Sequence, residues 1–365
     1  MVETSDVGSL PFPGDPQRFS EGALHYRRVV NDSTVFFERR TVDSFIDKVH
    51  SGINVPNYPQ YRDMNHMFLD LMEGISKVNG GYIETGALTV KDGQGIIHEV
   101  LAIKNRSQEI SEKLGKSFKL RVSVTGPYTL STLFAYKDKG TFIRLGDVLS
   151  KIVDSNIFDN KHGSVSLVTL DEPVFGFIDD PLLDKGSETR ENLLKAWELI
   201  MQKIVSKGAQ SCLHLHSARD ELFWEIKHLN AIEMPVNDSF YQANRTKERL
   251  ESTDKFLNAS ISVTDFDQLI RANILATAKQ KLSESSVNEK IADVWKNLRS
   301  ERIAPSIFLE DVELMRKRLV KTIEQFGANR VLYAVPECGL RSFPTYESAL
   351  ECLRRVSLAA IGVKK

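Results

Sequence analysis

Gln210-Ser211-Cys212-Leu213-His214-Leu215-His216-Ser217 is short, apolar and preceded by a segment with helical spacing. It reads as a buried strand. Side chains two apart on a strand share a face, so His214 and His216 point the same way, with Cys212 one step deeper. Two imidazoles side by side make a poor core and a good start to a metal site. The bland alternative is a pair satisfied by backbone or water.

Outward from this strand the chain alternates between strand and helix patterns. Val2 to Pro13 is a first strand whose exit loop runs from Gly8 to Pro13, and 53–55 is a second, closed by Pro56 and Pro59. Further strands are expected over 118–124, 164–170, 230–233, 256–263 and 330–335. Helical spacing covers 41–50, 63–78, 191–206, 221–227, 312–326 and 346–356. Residues 80–104 stand apart: Tyr82–Thr85 and Ile96–Val100 flank Asp92-Gly93-Gln94-Gly95, a hairpin signal. Residues 265–300 read as a polar helical insertion. Without the hairpin there are eight strands, mostly separated by helices. The expected fold is therefore α/β, a (β/α)8 TIM barrel spanning 1–365 as one domain. A doubly wound open sheet is the competing fold, but no strand exit carries G-x-G-x-x-G or a P-loop.

The chain has 365 residues, 41% hydrophobic and 27% charged, which suits a globular protein with a full core. A net charge of −1 gives no field that favours nucleic acid or an anionic membrane. No apolar run approaches the roughly 18 residues that span a bilayer. Met1 to Gly8 has no basic and apolar leader pattern. Three cysteines, Cys212, Cys338 and Cys352, make no disulfide framework, so a reducing cytoplasm is expected.

In such barrels chemistry gathers at the carboxyl ends of the strands. Those ends hold Ser9, Asn57, Tyr58, Gly126, Asp171, His214, His216, Glu233, Asp265 and Cys338. Taken singly, Glu233 suits a surface acid, Cys338 a small buried residue and Asp171 a helix cap. Taken together, His214, His216, Glu233 and Cys338 form a nitrogen, oxygen and sulfur donor set that suits zinc.

Gly8-Ser9, Gly126-Pro127, Asp171-Glu172-Pro173, His214-x-His216, Ile232-Glu233 and Pro336-Glu337-Cys338-Gly339-Leu340 resemble, in order, the catalytic barrel of cobalamin-independent methionine synthases. The likeness runs through nearly the whole chain and is nearer to the short, single-barrel archaeal forms. It implies zinc held by His214, Glu233 and Cys338, with His216 at a position where the family has cysteine. Either His216 ligates there or water takes the fourth place. The resemblance also implies Asp171 at the amino group of homocysteine and Ser9 at its carboxylate. Tyr58 or Gln60 falls where the family has a second amino-group carboxylate, and Asp265 where it has a proton-transferring histidine. No tryptophan follows the Gly126-Pro127 turn.

The implied activity is zinc-dependent methyl transfer to the thiol of homocysteine. The donor is a methylated folate or other pterin, or a methylcorrinoid protein. Zinc would hold the sulfur, lower its pKa and align it with the methyl group. Three other assignments compete. One is a corrinoid-linked transferase acting on another thiol such as coenzyme M. Another is a metal-free barrel like uroporphyrinogen decarboxylase, with Arg27 and Arg28 clamping carboxylates. The last is a non-catalytic zinc-binding barrel.

Overall fold

The computed structural model describes residues 2–363 apart from 178 and 243. Its strands are β1 Glu3–Thr4, β2 Met72–Val78, β3 Gly81–Val90, β4 Phe118–Thr125, β5 Asp159–Asn160, β6 Gly163–Glu172, β7 Gln210–Leu215, β8 Ala231–Glu233, β9 Phe256–Ser262 and β10 Val331–Pro336. Seven of them pair in parallel in the order β1-β10-β9-β8-β7-β6-β4. The eighth stave is residues 55–57. Val55 bridges Ser5 and Asn57 bridges Arg121, both in parallel, so this segment joins β1 to β4 and closes the ring. Pro56 and Pro59 keep it from lengthening, because proline donates nothing to a ladder. β5 is a short antiparallel addition to β6. The α/β barrel expected from the alternation is the fold observed.

Helices wrap the ring where apolar residues recur at helical spacing. Glu188–Ser206 starts at a Ser187 cap and buries Leu193, Trp197, Ile200, Met201 and Ile204 against the core. Each such aliphatic side chain contributes about 1.5–3 kcal/mol relative to exposure. Val312–Phe326 starts at an Asp311 cap and buries Met315, Leu319 and Phe326.

Two expected elements differ. Residues 63–78 carry a helical apolar stripe, yet only His66–Leu69 is helical and the chain then enters β2. Gly74 has φ +81°, and a Cβ there would sit 2.2 Å from the Ala87 carbonyl oxygen, so the close cross-strand approach wins over the stripe. The hairpin is therefore β2–β3, turning at Asn79-Gly80, and not 80–104. Residues 98–105 form a helix instead. Upstream, the helix expected at 41–50 begins at Asp32, nine residues earlier, behind an Asn31–Thr34 capping box.

Residues 265–300 form two helices, Phe266–Thr277 and Glu284–Arg299. Val287, Ile291 and Leu298 share an apolar cluster with Phe266, Leu340 and Phe343. The pair thus braces the loop that follows β10. Among the described residues no helix is long and apolar enough to cross a membrane.

Candidate metal centre

β7 delivers His214 and His216 to the carboxyl rim, and the loop after β10 brings Cys338 over to them. One donor atom from each of the three lies within 4.8 Å of the other two. His214 Nε2 is 3.1 Å from His216 Nε2, and Cys338 Sγ is 3.4 Å from His216 Nε2. Zinc bonds of about 2.1 Å to nitrogen and 2.3 Å to sulfur imply tetrahedral edges of about 3.4 and 3.6 Å. The observed spacings match that frame, and two imidazoles with a thiolate are a donor set for zinc.

The Cys338 loop is tied down on three sides. The Glu337 carboxylate accepts from Val236 N beyond β8 and from Thr264 N beyond β9, both at 3.0 Å. Leu340 N donates to Ser9 O at 2.8 Å. A Cβ on Gly339 would lie 1.9 Å from Ser9 Oγ, so only glycine lets the two loops meet. Ser9 is thereby beside Cys338. Its own loop is held by Lys48, fully buried, which donates to Asp6 Oδ2 at 2.8 Å, Gly8 O at 2.8 Å and Asn57 O at 3.1 Å. Lys48 does not stand out in the sequence, and Glu337 is there only as a member of the Cys338 motif. Neither shows its partners until the fold supplies them.

Glu233, expected as a further ligand, lies outside the trio. It is fully buried behind His214, with Oε1 3.0 Å from His214 Nδ1. Arg121 donates to both of its oxygens at 3.1 Å, and Asn258 Nδ2 donates to Oε2 at 3.0 Å. Arg121 was missed from the sequence, although an arginine inside the apolar run of β4 is a visible signal.

Asp171 pairs in register with His214 and is only 4% exposed. Among the described residues its Oδ1 has no hydrogen-bond partner, which makes it an open acceptor beside the trio. Tyr58 and Gln60 are otherwise engaged. The Tyr58 hydroxyl donates to Ser123 O at 2.9 Å and accepts from Gln60 Nε2 at 3.1 Å. Both act as internal struts in this structure, and their expected place at the substrate stays an expectation. Asp265, expected as a proton carrier, is an exposed cap of Phe266–Thr277, accepting from Gln268 N at 3.1 Å. Asp265→Ala should lower stability by about 1 kcal/mol, the usual worth of such a cap, and leave turnover unchanged. A large loss of turnover at wild-type melting behaviour would restore it as a proton carrier.

Electrostatics bind the trio further. Burial works against charge on His214, but Cys338 and Glu233 outweigh it and carry its pKa up to about 10. Burial also disfavours the Cys338 thiolate, but hydrogen bonds and charge from His214 and His216 bring it down to about 5. Asp171 is pushed up to about 6 by burial, against the pull of His214 and Arg121. The metal-free protein thus holds a thiolate–imidazolium pair, and metal uptake displaces the His214 proton. In metal-free protein, alkylation of Cys338 should be flat from about pH 6 to 8 and fall below about pH 5. Burial raises Cys212 well above its ordinary range and takes Cys352 to about 12, so neither competes. A rate still climbing towards about pH 8.5, as for a free thiol, would show that the pair does not form.

A cavity of about 780 Å³ is lined by Gly176, Asp180, Arg190, Asp220 and Trp224 and by none of the three donors. Its arginines pair largely with its own acids, as Arg190 does with Asp220 at 2.6 Å.

Fold and cluster together define a parallel α/β barrel with a candidate transition-metal centre on its carboxyl rim. No family model matches the chain, and no curated protein matches its sequence. Solved structures do match. A B12-independent methionine synthase from Shewanella sp. W3-18-1, in complex with selenomethionine, is similar over 99% of this chain and 97% of its own, at 13% identity and TM-score 0.62. A Listeria monocytogenes protein, provisionally described as a vitamin-B12-independent methionine synthase, is similar over 100% of both chains, at 12% identity and TM-score 0.58. At these identities the likeness establishes the shared fold.

Proposed function

We propose that this chain is a zinc-dependent methyltransferase that moves a methyl group to the thiol of homocysteine, forming methionine. The observation that carries this reading is the convergence of His214, His216 and Cys338 beside the unpartnered carboxylate of Asp171. It is supported by a fold shared with methionine synthases. Zinc bound to the trio would supply Lewis acidity, making the thiol of the acceptor a thiolate near neutral pH. A methylated pterin or a methylcorrinoid is the donor class, and a reducing cytoplasm keeps Cys338 a free thiol.

The chain's own residues bind and orient. Asp171 takes the ammonium group, which supplies the counter-charge its buried oxygen lacks. Ser9, beside Cys338, faces the acceptor's carboxylate. Phe177, 6.3 Å from the His216 ring, walls one side of the mouth against water. The sulfur lone pair then forms the new bond to the methyl carbon, and the donor leaves with the electrons of the old one.

Asp171 also decides between acceptors. Coenzyme M carries a sulfonate, which an ionised Asp171 repels. The decarboxylase assignment loses its clamp, because Arg27 and Arg28 are exposed and Arg27 is hydrogen-bonded to Gly93 O. Zinc analysis followed by titration of zinc-loaded protein with L-homocysteine and with coenzyme M tests the proposal. Tight homocysteine binding is expected. Protein without zinc, or zinc protein that binds only coenzyme M, overturns it. Asp171→Asn should weaken homocysteine binding by roughly 10- to 100-fold, the worth of one charge-assisted hydrogen bond, and spare zinc content.

A further inference from the structure

We infer that Arg121 is a positioning residue that keeps Glu233 off the metal and makes it the acceptor for His214 Nδ1. The inference deepens the proposed metal centre and rests on it for the metal, though not for the hydrogen bond.

An ionised carboxylate has about four acceptor positions, and Glu233 has four donors. Oε1 receives Arg121 Nη2 at 3.1 Å and His214 Nδ1 at 3.0 Å. Oε2 receives Arg121 Nη1 at 3.1 Å and Asn258 Nδ2 at 3.0 Å. No lone pair is left for a metal ion. Arg121, Glu233 and Asn258 are each 0% exposed and His214 is 2% exposed, so water cannot replace a donor that moves away. Arg121 has no reserve either, since its Nε is already without a partner among the described residues. Turning Glu233 towards the rim would strand a buried guanidinium.

The same arrangement sets the imidazole. A proton kept on Nδ1 and donated to Glu233 means that the proton a metal displaces is the one on Nε2, whose lone pair then faces His216 Nε2 and Cys338. A carboxylate behind a ligating histidine orients the ring and raises its basicity. The centre then has three protein donors, two imidazole nitrogens and one thiolate. A divalent ion there keeps a net positive charge and an open position, which favours an anionic sulfur from outside the chain. This differs from the four-ligand set with a bound glutamate that the family resemblance implies.

Cobalt replacing zinc reports the coordination sphere by its absorption spectrum. Glu233→Gln should keep full cobalt stoichiometry and the wild-type spectrum, with affinity lower by about 10- to 100-fold, as for loss of a partner behind a ligand. Loss of stoichiometry or a changed ligand-field pattern in folded Glu233→Gln would make Glu233 a ligand and overturn the inference. Arg121→Gln should release Glu233 to the ion and weaken the ligand-field bands as coordination rises. A spectrum and affinity both equal to wild type would remove Arg121 from the role. Should either variant fail to fold, wild-type protein with 15N-labelled histidine still decides. A slowly exchanging Nδ1–H of His214 is expected with and without metal, and its absence in both forms overturns the hydrogen bond. Wild type that takes up no zinc or cobalt instead fails the proposed function, while the Nδ1–H signal still tests the bond from His214 to Glu233.

Discussion

Cys338→Ser and His214→Ala are each expected to lower zinc affinity by roughly 100- to 1,000-fold. The magnitude comes from structural zinc sites, where about 10–16 kcal/mol is spread over four ligands. One donor in four is then worth about 2.5–4 kcal/mol. Serine holds its proton far more tightly than a thiol at neutral pH, so Cys338→Ser loses both the charge and the soft donor. The two residues lie 124 positions apart and share the site only because the β10 exit loop leans over β7. Zinc stoichiometry after dialysis against a weak chelator, measured beside thermal melting, separates ligand loss from unfolding. Full zinc in both folded variants would mean that the trio is not the centre.

Arg121→Met is expected to cost about 3–5 kcal/mol of stability, the range for breaking a buried ion pair from one side. The ion pair with Glu233 has both side chains at 0% exposure. Burial alone would raise Glu233, but Arg121 and His214 bring its pKa down to about 2. In the wild type this depressed carboxylate contributes stability that is present above its unfolded pKa and lost as pH falls towards about 2. Without Arg121 that pH-dependent stability shrinks, because only His214 and Asn258 are left to oppose the burial of the Glu233 carboxylate. Adding Glu233→Gln should recover much of the loss, because a neutral amide costs far less to bury than an unpaired carboxylate. Urea unfolding at several pH values measures all three proteins. A single variant as stable as wild type at neutral pH would show that the pair holds nothing in place.

Much of the fold is legible in the chain. The run of apolar residues before Asp171, the repeat of the stripe from Leu193 to Ile204 and the caps at Ser187 and Asp311 are short-range patterns. They depend on neighbours a few residues away, which is why strands and helices fall where the spacing puts them. The stripe at 63–78 misled because Gly74 serves a cross-strand contact with Ala87 that local spacing does not contain. Asp265 shows a related limit of local reading. A strand-end acid that points into the rim and one that caps the next helix look alike in sequence.

What the sequence determined by itself is the alternation of strand and helix and the pairing of His214 with His216 on one face. Periodicity writes both into adjacent residues. The arrival of Cys338 was legible from its place at a strand end, and the resemblance supported it. The task of Glu233 was not legible at all. Its donors come from Arg121, 112 positions before it, and Asn258, 25 after it. Whether a buried carboxylate binds a metal or steadies the imidazole in front of it depends on which donors already occupy its oxygens. Closure of the barrel decides that by bringing three distant strands into one interior.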